Sequence, residues 1–449
     1  MMAELHQLAD FISGLTFEAL PAAVVDRAQW VIRDTVGAVI GGMQEPEVAA
    51  LAGYAAQNHP GAATLWGSGG RATPAWAALV HGTAGTTLEM DEGHAFARGH
   101  AAVHAVPTAL ALAEAAGASG REAVTAVVVG YEVAARAGVA TRLRLSVHPF
   151  GAWGVLGAAA VAGWFKGMSG AQLAGALELA ASYAITPSFE TAYQGANVRN
   201  TFAGVINRAG LLAADFYELG FRGETGGLQT VFGEILGRTF DPAALVDGLG
   251  ERYEIMRGYF KPYSACRYTH AAVDAALALR AAGAVDPAQI EYIDVATYDI
   301  AAHLTDPAPQ TPLAGRFSLP YVVAATLITG GAGPEIFTPE KLGDESILAL
   351  ARRVRVVEDP AFTALTPARR PARVVIVMVD GRRREQTVMG SKGDPDQPMT
   401  AAELEAKFMG LVTAVLGPIP AQQAWQRLGQ LVAEPSLDLL TTLLTIGMR

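Results

Sequence analysis

Residues 286–301 read DPAQIEYIDVATYDIA. Polar and β-branched apolar side chains alternate there, the period of a strand with one buried face. Before about residue 260 the repeat is different. In 22–42 (AAVVDRAQWVIRDTVGAVIGG), 105–116, 120–139 and 151–166, apolar residues recur every three or four positions and Ala dominates, which predicts helices. Pro107 suits a first helical turn, and Ser119 is a plausible cap for the helix that follows it. After the switch, ARRVRVVEDP (351–360) and ARVVIVMVDGRRREQTV (372–388) are strand-like, the second folding into a hairpin at Asp380-Gly381. Helical patterns at 269–283 and 319–329 lie among these strands, and helical periodicity returns from Thr400. The chain therefore reads as mainly α with a smaller α+β domain. An all-helical domain is expected over 1–265 and the α+β domain over 266–395, with helices in 396–449 packing back on the first.

Bulk properties narrow the function. The chain has 449 residues, 51% hydrophobic and 17% charged, too long for one core and poor in the charge needed to cover a monomer's surface. A homodimer is the expected assembly. A net charge of −10 without a basic run argues against nucleic acid. The single cysteine, Cys266, allows neither an intrachain disulfide nor a cysteine-based zinc site. The N-terminus reads as an amphipathic helix rather than a leader, and the apolar run 151–165 is short and glycine-broken, so no membrane contact and a cytoplasmic location are expected.

The chemistry concentrates in LEMDEGHAFARGHAAVHAVP (88–107). Glu89, Asp91, Glu92, His94, His100, His104 and Arg98 fall within twenty residues of a chain otherwise poor in charge. Ionisable groups in apolar surroundings are paired, exposed or used. His100 and His104 would share a helix face as a metal pair, but no HExxH and no third ligand follow, and no metal is expected. His148, in a His-Pro pair, sits where one element ends and the next begins. Lys261, in GYFKPYSACRYTH, lies in an aromatic frame that suits a lowered pKa or an anion anchor. Arg199 is an isolated cation in a neutral stretch, and His270 and Asp274 are spaced i, i+4. There is no GxGxxG after a strand, no P-loop and no GxSxG, so nucleotide cofactors and a serine-hydrolase elbow are not supported.

Six segments, in order, resemble the MmgE/PrpD family, which includes 2-methylcitrate dehydratase, cis-aconitate decarboxylase and iminodisuccinate epimerase. They are VIRDTVGAVIGG (31–42), the 88–107 segment, the run 109–136, HPFGAWGVLGAAAVAG (148–163), KPYSACRYTHAAVDAAL (261–277) and RFSLPY (316–321). The resemblance implies a helical domain plus an α+β domain, usually dimeric, with a cofactor-free site between them for a small polycarboxylate. It also implies site roles for His100, His148, Lys261, Asp91 or Glu89, Tyr321 and His270. Arg199 stands where the family commonly has lysine, and Glu89-Met90-Asp91-Glu92-Gly93 replaces Asp-Phe-Asp-Asp-Thr.

The expected chemistry is proton abstraction beside a carboxylate. His100 would be base, His148 acid, Asp91 the orienting group and Tyr321 a hydrogen-bond or proton donor. Lys261 would hold developing charge, and Arg199, His270, Glu89 and Arg98 would bind substrate. A hydro-lyase is the leading reading, with an epimerase or decarboxylase as alternative and a non-catalytic carboxylate-binding relative as a third.

Overall fold

The computed structural model describes residues 2–185, 187–283 and 285–445. Its helices and strands group around two large hydrophobic cores, with a small third cluster of Val103, Phe150, Phe202 and Ala203. The first core draws on residues between Leu5 and Phe260 and, from the far end of the chain, on Leu404–Leu444.

Ala- and Gly-rich faces let the helices of this core approach closely. Helix Val198–Glu218 packs against Pro74–Thr87 and Gly154–Phe165. At one crossing a Cβ on Gly204 would lie 2.1 Å from the Leu79 carbonyl oxygen, so only glycine fits. Ser119 caps Gly120–Ala140 in a capping box with Glu122. That helix is long and apolar enough to cross a membrane, but 94% of its apolar window is buried in the protein.

Pro107 is not in a first turn. Its helix starts three residues earlier than the sequence suggests, at Ala102–Ala116, and Pro107 lies inside it. The carbonyl that Pro107 leaves without a helical partner, that of Val103, accepts from Asn207 Nδ2 at 2.9 Å. A side chain from another helix thus repairs the ladder.

The second core surrounds a four-stranded sheet in the order Arg383–Val388, Ala372–Met378, Ile290–Thr297, Val354–Glu358. Ile290–Thr297 pairs parallel with Val354–Glu358 (Val295 with Val356) and antiparallel with Ala372–Met378 (Ile293 with Ile376). A register shift between Ile290 and Tyr292 interrupts the simple alternation. The hairpin turns at Asp380-Gly381, with Gly381 at φ 83°. Helices His270–Ala281 and Leu319–Thr329 cover the sheet.

The C-terminal helix Ala401–Leu416 packs on Ala22–Gly42. From it, Lys407 Nζ reaches Asp34 Oδ1 at 2.5 Å and the Met90 carbonyl at 2.7 Å. The end of the chain thereby braces the acidic segment from below.

Candidate active site

A two-residue strand pairing positions the site. Gly93–His94 pairs antiparallel with Gly258–Tyr259, which brings Lys261 alongside the 89–92 carboxylates. The pairing is close: a Cβ on Gly258 would lie 2.2 Å from Glu92 Oε1. Glu89 and Arg98 are the two non-glycine residues with positive φ among the described residues, both at 54°. Both line the same cavity. Left-handed backbone at bulky residues is strained, and such strain clusters at functional sites.

The buried side chains form a relay of alternating charge. Arg199 Nη2 bonds Glu89 Oε1. Lys261 Nζ lies 3.1 Å from Glu89 Oε2 and 3.3 Å from Asp91 Oδ1. Asp91 Oδ2 lies 2.8 Å from His100 Nδ1. Burial alone would raise both carboxyls, but Arg199 and Lys261 outweigh it at Glu89, and His100 and Lys261 outweigh it at Asp91. Both are held below the usual carboxylate range.

The same balance corrects the lowered pKa considered for Lys261. Burial would depress it, but Asp91 and Glu89 push it above the usual lysine range. Lys261 is a fixed charge rather than a proton carrier.

His100 Nδ1 has a second acceptor, the Glu92 carbonyl at 2.7 Å. The carbonyl can only accept, which places the proton on Nδ1 beside the Asp91 charge and leaves Nε2 with its lone pair and no partner among the described residues. The ring lines the cavity and its side chain is 12% exposed.

His148 also lines the cavity but is not the expected acid. Arg199 Nε–H points at its Nε2 and the Phe150 N–H at its Nδ1, both at 3.3 Å. Burial, then the Arg199 charge, pushes its pKa well below the usual value. A neutral imidazole accepts at one nitrogen only and its remaining N–H is far too weak an acid to protonate a leaving group; His148 orients Arg199.

Two further expectations are corrected. Tyr321 is buried in the second core, donating to the Ile336 carbonyl at 2.6 Å, and does not line the cavity. His270 is not at the cavity either; its Nε2 is 3.0 Å from the Ala265 carbonyl and its Nδ1 is 3.1 Å from Arg267 Nη1. It holds Arg267, which does line the cavity. His94 and His104 are buried against Glu254 and Asn207. Among the described residues, no group of three or more His, Cys, Asp or Glu is placed to hold a metal ion.

Sequence reasoning missed several lining residues. Arg267 and Tyr268 lie inside the 261–277 segment and could have been found there. Tyr259 and Phe317 lie inside the quoted stretches 258–270 and 316–321, whereas Arg370 had no signal of its own. Cys266 lines the wall as a thiol, its pKa pushed up to about 12 by burial. Four arginines and one carboxylate, Glu89, line the inner cavity. It offers about 30 Å³ of water-accessible space and shares Arg98, Pro149, Phe189 and Tyr268 with an outer vestibule of about 260 Å³.

Known proteins resemble the chain along most of its length. The MmgE/PrpD N-terminal domain matches residues 6–235 and the MmgE/PrpD C-terminal domain residues 263–430. The chain is 26% identical to the cis-aconitate decarboxylase-like protein oryM of Aspergillus oryzae, over 91% of this chain and 90% of that protein. It is 26% identical to human cis-aconitate decarboxylase, over 98% and 94% of the two chains. With the cis-aconitate decarboxylase of Aspergillus terreus it shares 23%, over 91% and 89%.

Proposed function

The chain belongs to the MmgE/PrpD family, and from that premise we propose that it is a lyase acting on a small polycarboxylate, with His100 as its proton-transfer group. The observation that carries this reading is the cavity wall: four arginines and one carboxylate beside a histidine whose Nδ1 is saturated and whose Nε2 is free. Such a wall suits a multiply charged anion in a low-dielectric pocket.

Loss of CO2 fits the site better than loss of water. Dehydration wants a base at the C–H bond and a second acid at the leaving hydroxyl. The other protic groups on the wall are poor acids: burial raises Cys266 and Tyr259 to about 12 and also raises Tyr268, and the N–H of neutral His148 is far too weak as well. Decarboxylation needs one proton. The C–C bond to the departing carboxylate breaks, and its electron pair spreads into an adjacent double bond conjugated with a second carboxylate. His100 first takes up a solvent proton at Nε2; that proton then replaces CO2 at carbon, the ring returns to its neutral Nδ1–H form, and Asp91 balances the imidazolium in between. Arg199, on the wall, faces the charge that develops, while Lys261, which does not line the cavity, neutralises Glu89 and Asp91 behind it. The relatives named as cis-aconitate decarboxylases support the same class. A polycarboxylate exceeds the inner cavity, which adjoins the vestibule at Arg98, Pro149, Phe189 and Tyr268.

The test is to incubate the purified protein in heavy water with cis-aconitate, citrate or 2-methylcitrate and follow each by proton NMR and CO2 release. CO2 with one deuterium incorporated from cis-aconitate is expected. An alkene formed from a hydroxy acid without CO2 would mean a hydro-lyase, and exchange without net product an epimerase. No turnover and no binding would remove the reading.

A further inference from the structure

We infer that Arg98 and Arg370 form a second carboxylate subsite on the inner cavity, so that the enzyme selects acids with a carboxylate remote from the one held by Arg199. This rests on the lyase reading above and names the substrate feature it requires.

The argument starts from charge pairing on the cavity wall. Arg199 is matched by Glu89, and Lys261 beneath it by Glu89 and Asp91. Arg267 is matched by Asp394 at 2.5 Å and locked by His270 and the Lys392 and Ser391 carbonyls. Arg98 and Arg370 remain. Neither has a carboxylate within ion-pair distance among the described residues, although Asp394 acts on Arg370 from further away. Arg370 is 7% exposed. A buried guanidinium without a counter-charge is costly unless an anion completes it.

Geometry holds the pair at one place. Arg370 Nη2 donates to the Ala95 carbonyl at 3.0 Å, and the backbone N–H of Arg98 points to the same oxygen at 3.2 Å. One carbonyl thus ties an arginine of the second region to the turn that carries the other. That turn is closed by a bridge between His94 and Gly99 and holds Arg98 at positive φ. Three tyrosines lie near Arg370: its guanidinium carbon is 5.7 Å from the Tyr259 ring centre and 5.5 Å from that of Tyr268, and the Tyr298 hydroxyl, buried nearby, has no hydrogen-bond partner among the described residues. The aromatic frame keeps water away and leaves the guanidinium's remaining N–H groups for a ligand. Arg98 lines both the cavity and the vestibule, where an incoming anion meets it first.

A purely structural role is the competing explanation, since Arg370 braces the Ala95 turn. Binding of two probes separates them: propane-1,2,3-tricarboxylate and butyrate, measured calorimetrically. Arg370→Gln and Arg98→Gln should each weaken tricarboxylate binding about 10-fold or more, the loss of one charge-assisted contact, and change butyrate binding less than about threefold. Arg370→Lys, which keeps the charge, should recover part of the loss. Arg98→Gln guards against misfolding, because the Arg98 side chain makes no hydrogen bond to a described residue. Tricarboxylate affinity unchanged in both glutamine variants overturns the subsite while leaving the lyase reading intact, as does equal weakening of both probes. A wild-type protein that binds neither probe overturns the subsite together with that reading.

Discussion

His94 and His100 stand six residues apart on one turn, and each faces a buried carboxylate. His94 Nε2 is 3.1 Å from Glu254, and its Nδ1 accepts the Ala97 N–H at 3.1 Å. Nδ1 is committed, Nε2 is enclosed against the Glu254 carboxylate, and the side chain is fully buried. His100 commits only Nδ1, to Asp91 and the Glu92 carbonyl. The difference is one nitrogen. It makes the first histidine a fastener of the turn and the second a group able to exchange a proton with a ligand. A carboxylate partner alone does not mark a working histidine; a free second nitrogen at a cavity does.

The sharpest way to break this comparison is to remove each ring in turn. His100→Ala should lower turnover about 10²- to 10⁴-fold, the usual size of a proton-transfer contribution, with a smaller fall in melting temperature than His94→Ala because Lys261 still faces Asp91. His94→Ala should do the reverse, costing about 2–4 kcal/mol of stability through a cavity and lost hydrogen bonds while the folded fraction keeps its kcat. Steady-state kinetics beside thermal melts decides; a reversed pattern would refute the assignment.

Lys261→Met tests the relay behind His100. It leaves Glu89 and Asp91 buried with one cationic neighbour fewer, and breaking a buried pair from one side costs about 3–5 kcal/mol. A variant as stable as wild type in urea would mean that the relay does not hold the segment.

Acidity probes all the buried imidazoles together. Burial lowers His81 to about 3 and His104 to about 4, and also lowers His94, His148 and His270. Groups kept neutral in the fold take up protons on unfolding, so their contribution is full above about pH 6.5 and is lost as pH falls. Glu92 and Glu132 act oppositely. Burial raises them to about 8 and about 7, so their contribution is full below the usual carboxylate range and is lost as pH rises through 7 to 8. The melting temperature should therefore peak at roughly pH 6–7 and fall on both sides. Glu92→Gln should flatten the alkaline limb, and a monotonic profile would contradict these burial assignments.

The smallest effect is expected at Tyr321. Tyr321→Phe loses one buried hydrogen bond, about 1 kcal/mol, and should leave kcat/KM unchanged. A large kinetic loss would put the hydroxyl back in the site.

What the sequence made legible was local. The Ser119 cap, the Asp380-Gly381 hairpin and the strand over 290–297 follow from nearest-neighbour rules. The 88–107 segment stood out because its charge contrasts with its surroundings. What stayed hidden depends on partners far along the chain. Lys261 is raised rather than lowered because a two-residue pairing sets it against Glu89 and Asp91. Pro107 sits inside a helix because Asn207 accepts the cost of its missing bond. Arg370, in PARRPARV, looks like any surface arginine until the fold seats it beside Ala95. Tyr321 was carried over from a motif, but its neighbours in the second core engage its hydroxyl elsewhere.

The cavity wall is assembled from two separately packed bodies, and this bears on how the enzyme can diversify. His100, His148 and Arg199 belong to the helical body, whereas Tyr268, Phe317 and Arg370 belong to the sheet-containing one. Mutational drift on the sheet side can alter which acids are accepted without disturbing the proton-transfer group or the tight glycine crossings behind it. Substrate range and reactivity can thus be inherited as separable traits within a single gene.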